Sequence, residues 1–309
     1  MQAQDQELRR DTLPRRVLLA TDLSCRCDRA QDRALRLAER WGAKLFLLHV
    51  LENEKEQELP SWRRERSAQE MLAERQIRAA TRDRAINAEA IIRRGSPPEV
   101  LLRTAEELDC DLIVTGIARG GTLARAILGT TVERLVHRAP MPVLVVKNRA
   151  DRAYDHLVVA SDFSASSAHA FRQALRLLPD ARMTLLHAYR VPFEGFISKE
   201  ANRDEFLQAA RSQCADFLAG IPAVKDRLDR LACLIEYGSP YELIGAYVWD
   251  NEVDLVVLGT HGSSGAFDIL IGSTAERLLE TLPCDVLVVR EPSSLQAVRA
   301  AMGATQAGA

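Results

Sequence analysis

The sequence lacks several features that would place it in a specialised class of protein. No apolar run approaches the roughly 18 to 20 residues that a membrane-spanning helix needs, and residues 1–16 contain no apolar segment typical of a signal peptide. Basic residues are not in surplus, because 41 Lys and Arg face 43 Asp and Glu for a formal net charge of -2. A nucleic-acid partner is therefore disfavoured. These absences predict a cytoplasmic protein that binds neither membranes nor nucleic acid.

Cysteine is also scarce, with six residues scattered along 309 positions. That pattern suits reduced thiols in a cytoplasm better than a disulfide framework. Only Cys25 and Cys27 lie close together in the sequence, and no second Cys or His pair accompanies them at ligand spacing. Because a structural zinc ion needs four ligands, we predict no metal site.

What the chain does contain is an internal repeat. Five segments recur in the same order, and Asp22 of the first copy corresponds to Asp162 of the second. The matching pairs are 15–24 with 155–164, 44–50 with 183–189, 91–101 with 234–244, 110–116 with 253–259, and 141–147 with 284–290. We predict two tandem domains, 12–148 and 153–292, followed by a disordered tail over 293–309.

The repeated segments are short runs that are apolar on both faces, as the strands of a parallel sheet covered by helices must be. Stretches long enough for a helix separate them. In the first of these, one predicted helix face carries Ala30, Ala34, Leu37, Ala38 and Trp41. Each copy is therefore predicted to be an α/β domain, doubly wound and Rossmann-like, with a five-stranded parallel sheet.

Glycines follow the fourth predicted strand of the second copy. Gly259 and Gly262 are followed by nine residues and then by Gly272, Ser273 and Thr274, which open a predicted helix. Glycines at a strand end let backbone N–H groups approach an anion, and a helix start adds the positive end of a dipole. This pattern favours a phosphate site. The alternative is that the glycines only shape a turn and Ser273 only caps the helix.

The sequence resembles the universal stress protein family in five features. They are these glycines, the first-strand Asp162, the Leu-Leu-His of the second strand, the Gly-Ser-Pro after the third strand and the final Val-Leu-Val-Val. The resemblance covers both copies and implies a tandem member with strand order 3-2-1-4-5. It also implies bound ATP, with or without Mg²⁺. The resemblance implies that the base and ribose are contacted by Asp162 and Ala188. It implies that the phosphates are contacted by Gly259, Gly262, Gly272, Ser273 and Thr274.

The first copy departs from this family pattern. Gly116, Gly129 and Thr130 occupy the outer positions, but Arg119 stands where the second copy has Gly262. The arginine either donates to a phosphate or points to solvent, and both interpretations stay open. Asp22 remains available for a base or ribose. We predict that the first copy is the weaker nucleotide site.

The sequence shows a phosphate cradle without a placed general base, nucleophile or carboxylate pair. We therefore expect a stress-response protein that binds an adenine nucleotide and signals by occupancy. One alternative is a slow ATPase or autophosphorylating enzyme that uses the hydroxyl of Ser263, Ser264, Ser273 or Thr274. The other is a structural partner protein that binds nothing. His49 and His187, at equivalent strand ends, are expected to bond to neighbouring groups rather than to a ligand. His261 is a further candidate for a phosphate contact.

The last predicted strand of each copy, 142–147 and 285–290, carries nearly the same sequence. Such strands should lie at sheet edges, where unpaired backbone groups invite pairing. We predict that they pair with each other within one chain, an intramolecular pseudo-dimer of the kind that the resemblance implies between single-domain chains. The alternative is that a local helix, or another chain in a homodimer, covers the edge of each strand.

Overall fold

The computed structural model describes residues 13–52, 68–82, 86–117, 129–190, 199–260 and 272–291. The chain divides into two compact units, Met1–Ala153 and Tyr154–Ala309. No helix in these described ranges is both long enough and apolar enough to cross a membrane. The predicted tail over 293–309 lies outside the described residues.

In its described residues the first unit alternates strands with helices. Its strands are β1 (Arg16–Ala20), β2 (Lys44–Leu51), β3 (Ala88–Arg94), β4 (Leu112–Gly116) and β5 (Val143–Val146). Its helices are α1 (Asp28–Trp41), α2 (Ala68–Thr81), α3 (Pro97–Glu107) and α4 (Thr130–Arg138). All strand pairs are parallel and give the order β3-β2-β1-β4-β5.

The second unit repeats this architecture. Its strands are β6 (His156–Ala160), β7 (Arg182–Tyr189), β8 (Leu231–Tyr237), β9 (Leu255–Gly259) and β10 (Asp285–Val289). Its helices are α5 (Ala165–Leu177), α6 (Lys199–Ala219), α7 (Pro240–Asp250) and α8 (Ser273–Thr281), with a 3-10 segment at Pro222–Arg230. The parallel order β8-β7-β6-β9-β10 is 3-2-1-4-5 when counted within the unit. The predicted fold class and strand order are confirmed.

The core forms where the apolar strands meet the apolar faces of the helices. The middle residues of β1 are fully buried, and the predicted face of α1 is buried along its whole length. Arg33 is also buried on this face, which the apolar pattern did not indicate. Its guanidinium donates to the Arg152 carbonyl oxygen at 2.8 Å, so the aliphatic stem packs in the core while the charged end reaches a backbone acceptor.

The repeated Gly-Ser-Pro directs the chain from the third strand of each unit into the next helix. Gly95 and Gly238 have φ angles of 137° and 147°, a region that favours glycine. Pro97 and Pro240 then occupy the first helical position of α3 and α7, where the missing N–H costs no helical hydrogen bond. The turn therefore brings the starts of α3 and α7 to the carboxyl ends of the strands.

Candidate functional site

Each unit contains a cavity at the carboxyl ends of its first, second and fourth strands. The volume is about 310 Å³ in the second unit and about 320 Å³ in the first. In both units this is where the strand order reverses, the position at which doubly wound sheets bind their ligands. The second cavity is lined by Ala160, Ser161, Asp162, Ser167, Leu186, Ala188, Pro240, Ile244, Leu258, Gly259, Thr260, Gly272, Ser273, Thr274, Ala275 and Leu278.

The structure brings six of the seven residues predicted for the second copy to this one cavity. They come from the ends of three strands and from the first turn of α8: Asp162, Ala188, Gly259, Gly272, Ser273 and Thr274. The seventh, Gly262, lies outside the described residues, as do His261, Ser263 and Ser264.

The turn after β6 holds Asp162 at the edge of the cavity. Its Oδ1 accepts a hydrogen bond from the Ser164 backbone N–H at 3.1 Å. Between them Phe163 has a left-handed φ of 61°, a conformation that costs a side-chain-bearing residue about 1–3 kcal/mol. The Phe163 ring stacks on His187 with centroids 4.2 Å apart, and this contact helps to fix the turn. Local geometry therefore positions the Asp162 carboxylate before any ligand binds.

The two strand-end histidines support these turns. His187 Nδ1 lies 2.8 Å from the Ser161 carbonyl oxygen, and His49 Nδ1 lies 2.9 Å from the Thr21 carbonyl oxygen. Neither histidine is among the described residues that line the cavities. The expected hydrogen bonds to neighbouring groups are therefore present in both units.

The first turn of α8 opens onto the second cavity. Gly272 is the N-cap residue and, as a glycine, makes no side-chain hydrogen bond to cap the helix. Ser273 is thus the first helical residue, so the alternative in which it serves as the cap is wrong. The leading N–H groups of a helix carry partial positive charge and attract anions, although Glu276 in the same turn opposes this attraction.

The glycines of the second cavity differ in what surrounds them. Among the described residues, a Cβ built on Gly272 would meet only the Thr260 carbonyl oxygen, 4.0 Å away, so packing against these residues does not require a glycine there. A Cβ on Gly259 would lie 2.7 Å from Ser166 Oγ and 3.2 Å from the Ser166 carbonyl carbon. Close packing of α5 on β9 alone therefore accounts for the glycine at 259. Gly272 also lines the cavity, and no described residue packs closely against the position of its Cβ.

The first cavity collects the residues predicted for the first copy. Asp22, Gly116, Gly129 and Thr130 all line it. Leu23, with a φ of 60°, repeats the left-handed turn of the second unit, but no counterpart of the Phe163 ring is present at this position.

The Asp22 carboxylate has a lowered pKa. Burial alone would raise it, but hydrogen bonds from Cys27 and Ser24 outweigh that effect. The Ser24 N–H lies 2.8 Å from Asp22 Oδ1. The carboxylate is thus ionised at neutral pH and is held by a turn like that of Asp162.

Charged groups distinguish the two cavities. Arg26 and Glu52 line the first, whereas Asp162 is the one ionisable side chain among the described residues around the second. Val50 replaces Ala188 and presents a larger side chain at the second strand. The prediction that the first site is the weaker one depends on Arg119, and this residue lies outside the described residues.

Sequence reasoning did not assign the prolines of Gly-Ser-Pro to the site. Pro97 lines the first cavity and Pro240 the second, with Ile244 one helical turn further along α7. The recurrence of these prolines in both copies of the repeat could have indicated that they belong to the site. Within the described ranges no group of three or more His, Cys, Asp or Glu could hold a metal ion.

Comparisons with known proteins agree with this architecture. A family model described as the universal stress protein family matches residues 14–147 and again residues 153–290. A universal stress protein of Mycolicibacterium smegmatis is 26% identical over 300 residues, covering 89% of this chain and 96% of its own.

Two solved structures share the fold over most of the chain. A functionally unknown protein from Pseudomonas aeruginosa PAO1 superposes with a TM-score of 0.67 at 21% identity, covering 94% of this chain and 97% of its own. A universal stress protein from Archaeoglobus fulgidus DSM 4304 superposes with a TM-score of 0.62 at 20% identity, covering 89% of this chain and 98% of its own.

Proposed function

The chain belongs to the universal stress protein family, and from this premise and the cavity geometry we propose that it binds ATP or a related adenine nucleotide. The second unit is the main site. Occupancy of that site, rather than a chemical step, would carry a signalling or protective role in the stress response.

The observation that carries the proposal is the α8 N-terminus at the second cavity. A phosphate near Ser273 and Thr274 would meet two hydroxyl donors and the positive end of the helix dipole. Gly272 leaves room for the backbone to touch a phosphate oxygen. The volume of about 310 Å³ falls within the range of roughly 300–1,000 Å³ of small-molecule sites.

The opposite side of the cavity suits a base and a ribose. Leu186, Ala188 and Ile244 offer apolar surface to a flat ring. The Asp162 carboxylate can accept hydrogen bonds from a ribose hydroxyl or an exocyclic amine. Because its negative charge comes from the end of β6 and the phosphate donors come from α8, one extended ligand can satisfy both.

Calorimetric titration of the full chain with ATP tests the assignment. We expect about one tight site per chain, and Gly272→Val should abolish it because the new side chain takes the place of a phosphate. The matched control is Gly129→Val at the equivalent N-cap of α4, which should leave the tight site unchanged. Two equal sites, or full binding by the Gly272→Val variant, would contradict the proposal.

The interpretation of this experiment requires that the variant remains folded. Gly272 has φ -57° and ψ 142°, which any L-residue adopts, and its added Cβ would meet no atom of the described residues closer than 4.0 Å. Thermal unfolding of the two variants without nucleotide should therefore give similar midpoints. A large drop for Gly272→Val alone would show that the open space is needed by the fold.

A second candidate, a slow ATPase or autophosphorylating enzyme, is favoured by one observation. The Ser273 and Thr274 hydroxyls line the same cavity as the proposed phosphate site. We expect hydrolysis to be slow or absent, because phosphoryl transfer needs metal-holding and water-positioning groups that the motifs lack. Turnover of about 1–1,000 per second that disappears in Ser273→Ala would overturn the signalling role and establish the enzyme.

A further inference from the structure

Two cysteines that are far apart in sequence meet on the outer side of the second unit. Cys214 lies on α6, on a helix face that also presents Arg211, Ala215 and Leu218 to a cavity of about 410 Å³. Cys233 lies on β8 and lines the same cavity. The two thiol groups are in hydrogen-bonding contact.

The two thiols differ in access to solvent. Cys233 is exposed and Cys214 is buried, and both are free cysteines. In the second unit β8 follows β7 at the end of the strand order, with Cys233 in register with Leu185. A small reagent in solution therefore reaches Cys233 before the buried Cys214, which lines the same cavity.

The contact also shifts the pKa values of the two thiols in opposite directions. The hydrogen bond from Cys214 lowers the pKa of Cys233 to about 7, against the opposing effect of burial. The same bond, together with burial, raises the pKa of Cys214 far above its ordinary value. Near neutral pH a large share of Cys233 is the thiolate, which is the nucleophilic form, while Cys214 keeps its proton.

Charged neighbours do not account for this difference. Arg211 and Glu236 line the cavity with opposite charges. From the adjoining 3-10 segment, Arg227 and Arg230 donate to the backbone carbonyls of residues 179–180. Arg227 and Arg230 do not lower the pKa of Cys233. The group that lowers it is the Cys214 thiol, through its hydrogen bond.

Other thiols of the chain lack this arrangement. Burial raises the pKa of Cys27 to about 11 and that of Cys110 to about 12, so both are protonated at neutral pH. Such thiols react slowly with oxidants. Cys233 is thus expected to oxidise faster than Cys27 and Cys110.

We propose that Cys233 and Cys214 are a peroxide-responsive thiol pair that closes to a disulfide between β8 and α6. The Cys233 thiolate attacks hydrogen peroxide, the O–O bond breaks, and Cys233 becomes a sulfenic acid while hydroxide leaves and is protonated to water. The Cys214 sulfur then attacks the Cys233 sulfur and gives up its proton. The S–O bond breaks and a second water leaves, so two thiols are oxidised and one peroxide is reduced.

The test is peroxide treatment of the reduced full chain at pH 7, followed by thiol blocking and peptide mass spectrometry. We expect two thiols to be lost per chain, one linked peptide pair containing Cys214 and Cys233, and reversal by dithiothreitol. Cys214→Ser should stop at a sulfenic acid on Cys233 that dimedone traps. Cys110→Ser, the matched control at a buried thiol, should still form the disulfide.

A second readout separates a reactive pair from two cysteines that merely pack together. Alkylation of Cys233 should be half-maximal near pH 7 and should shift towards about 8.5 in Cys214→Ala, which removes the donor. Cys214→Ser keeps a hydroxyl donor and should retain the lower midpoint. A disulfide between other cysteines or between chains, a sulfenic acid without a disulfide in the unaltered chain, or an unchanged midpoint in Cys214→Ala would overturn the proposal.

Discussion

Two glycines of the second glycine-rich segment meet different physical needs at the scale of single residues. Gly259 ends β9, where Ser166 of α5 packs so closely that a Cβ would meet Ser166 Oγ at 2.7 Å. Gly272 precedes α8 and lines the cavity, and among the described residues only the Thr260 carbonyl oxygen lies within 4.0 Å of an added Cβ. A motif that looks uniform in sequence therefore combines one glycine that close packing requires with one that the described neighbours do not constrain.

The close packing at Gly259 predicts a larger loss of stability there than at the equivalent glycine of the first unit. Gly259→Ala should lower the free energy of unfolding by about 1–3 kcal/mol, the usual range for overpacking, because backbone atoms of Ser166 must move. At the equivalent Gly116 the nearest described atom to an added Cβ is the Arg26 carbonyl oxygen at 3.4 Å, so Gly116→Ala should cost less. Denaturant unfolding of the two variants measures this, and equal losses would contradict the packing explanation.

The sequence predicted which residues meet at the second cavity but did not separate their roles. Asp162 was predictable there because it follows the first strand of the repeat, and Gly272 and Thr274 because they open the helix after the fourth strand. The packing requirement at Gly259 was not predictable, because it depends on how close α5 comes to β9. The contact between Cys214 and Cys233 was equally hidden, since nineteen positions separate them and only tertiary structure brings them together.

At the scale of elements, the two units start their first helices differently. In the second unit Ser164 is the N-cap of α5, and its Oγ accepts a hydrogen bond from the Ser167 N–H at 3.2 Å. In the first unit the equivalent Ser24 accepts from the Arg26 N–H within a turn, and α1 begins later, at Asp28. The repeat predicted both helices, but their different starts depend on local capping that the shared pattern conceals.

Capping therefore predicts an asymmetry between two equivalent serines. Ser164→Ala should cost about 1 kcal/mol of unfolding free energy, the typical loss for an N-cap serine. Ser24→Ala removes a hydrogen bond in a turn rather than a helix cap and should cost less. Urea unfolding that follows helical circular dichroism compares the variants. An equal or larger loss for Ser24→Ala would show that the turn before α1 acts as a cap.

At the scale of the whole molecule, the repeat raises the question of what the final strand of each copy pairs with. In the first unit β5 is parallel to β4, and in the second unit β10 is parallel to β9, so each ends the strand order of its own unit. Both carry Val-Leu-Val-Val, at residues 143–146 and 286–289. An unpaired apolar edge promotes association, and two nearly identical edges can satisfy each other through a pseudo-two-fold contact.

We therefore predict that the two copies of one chain pair through these strands, as their own dimer. The variant with both Val145→Cys and Val288→Cys should form a cross-link within one chain on oxidation, because pairing brings the two positions together. Each single substitution is the control for bonds to the natural cysteines, and peptide mass spectrometry identifies the linked residues. An intramolecular cross-link should persist on dilution, since both partners belong to one chain. Cross-links that form only between chains and fade on dilution would mean that a homodimer, rather than the tandem repeat, covers these edges.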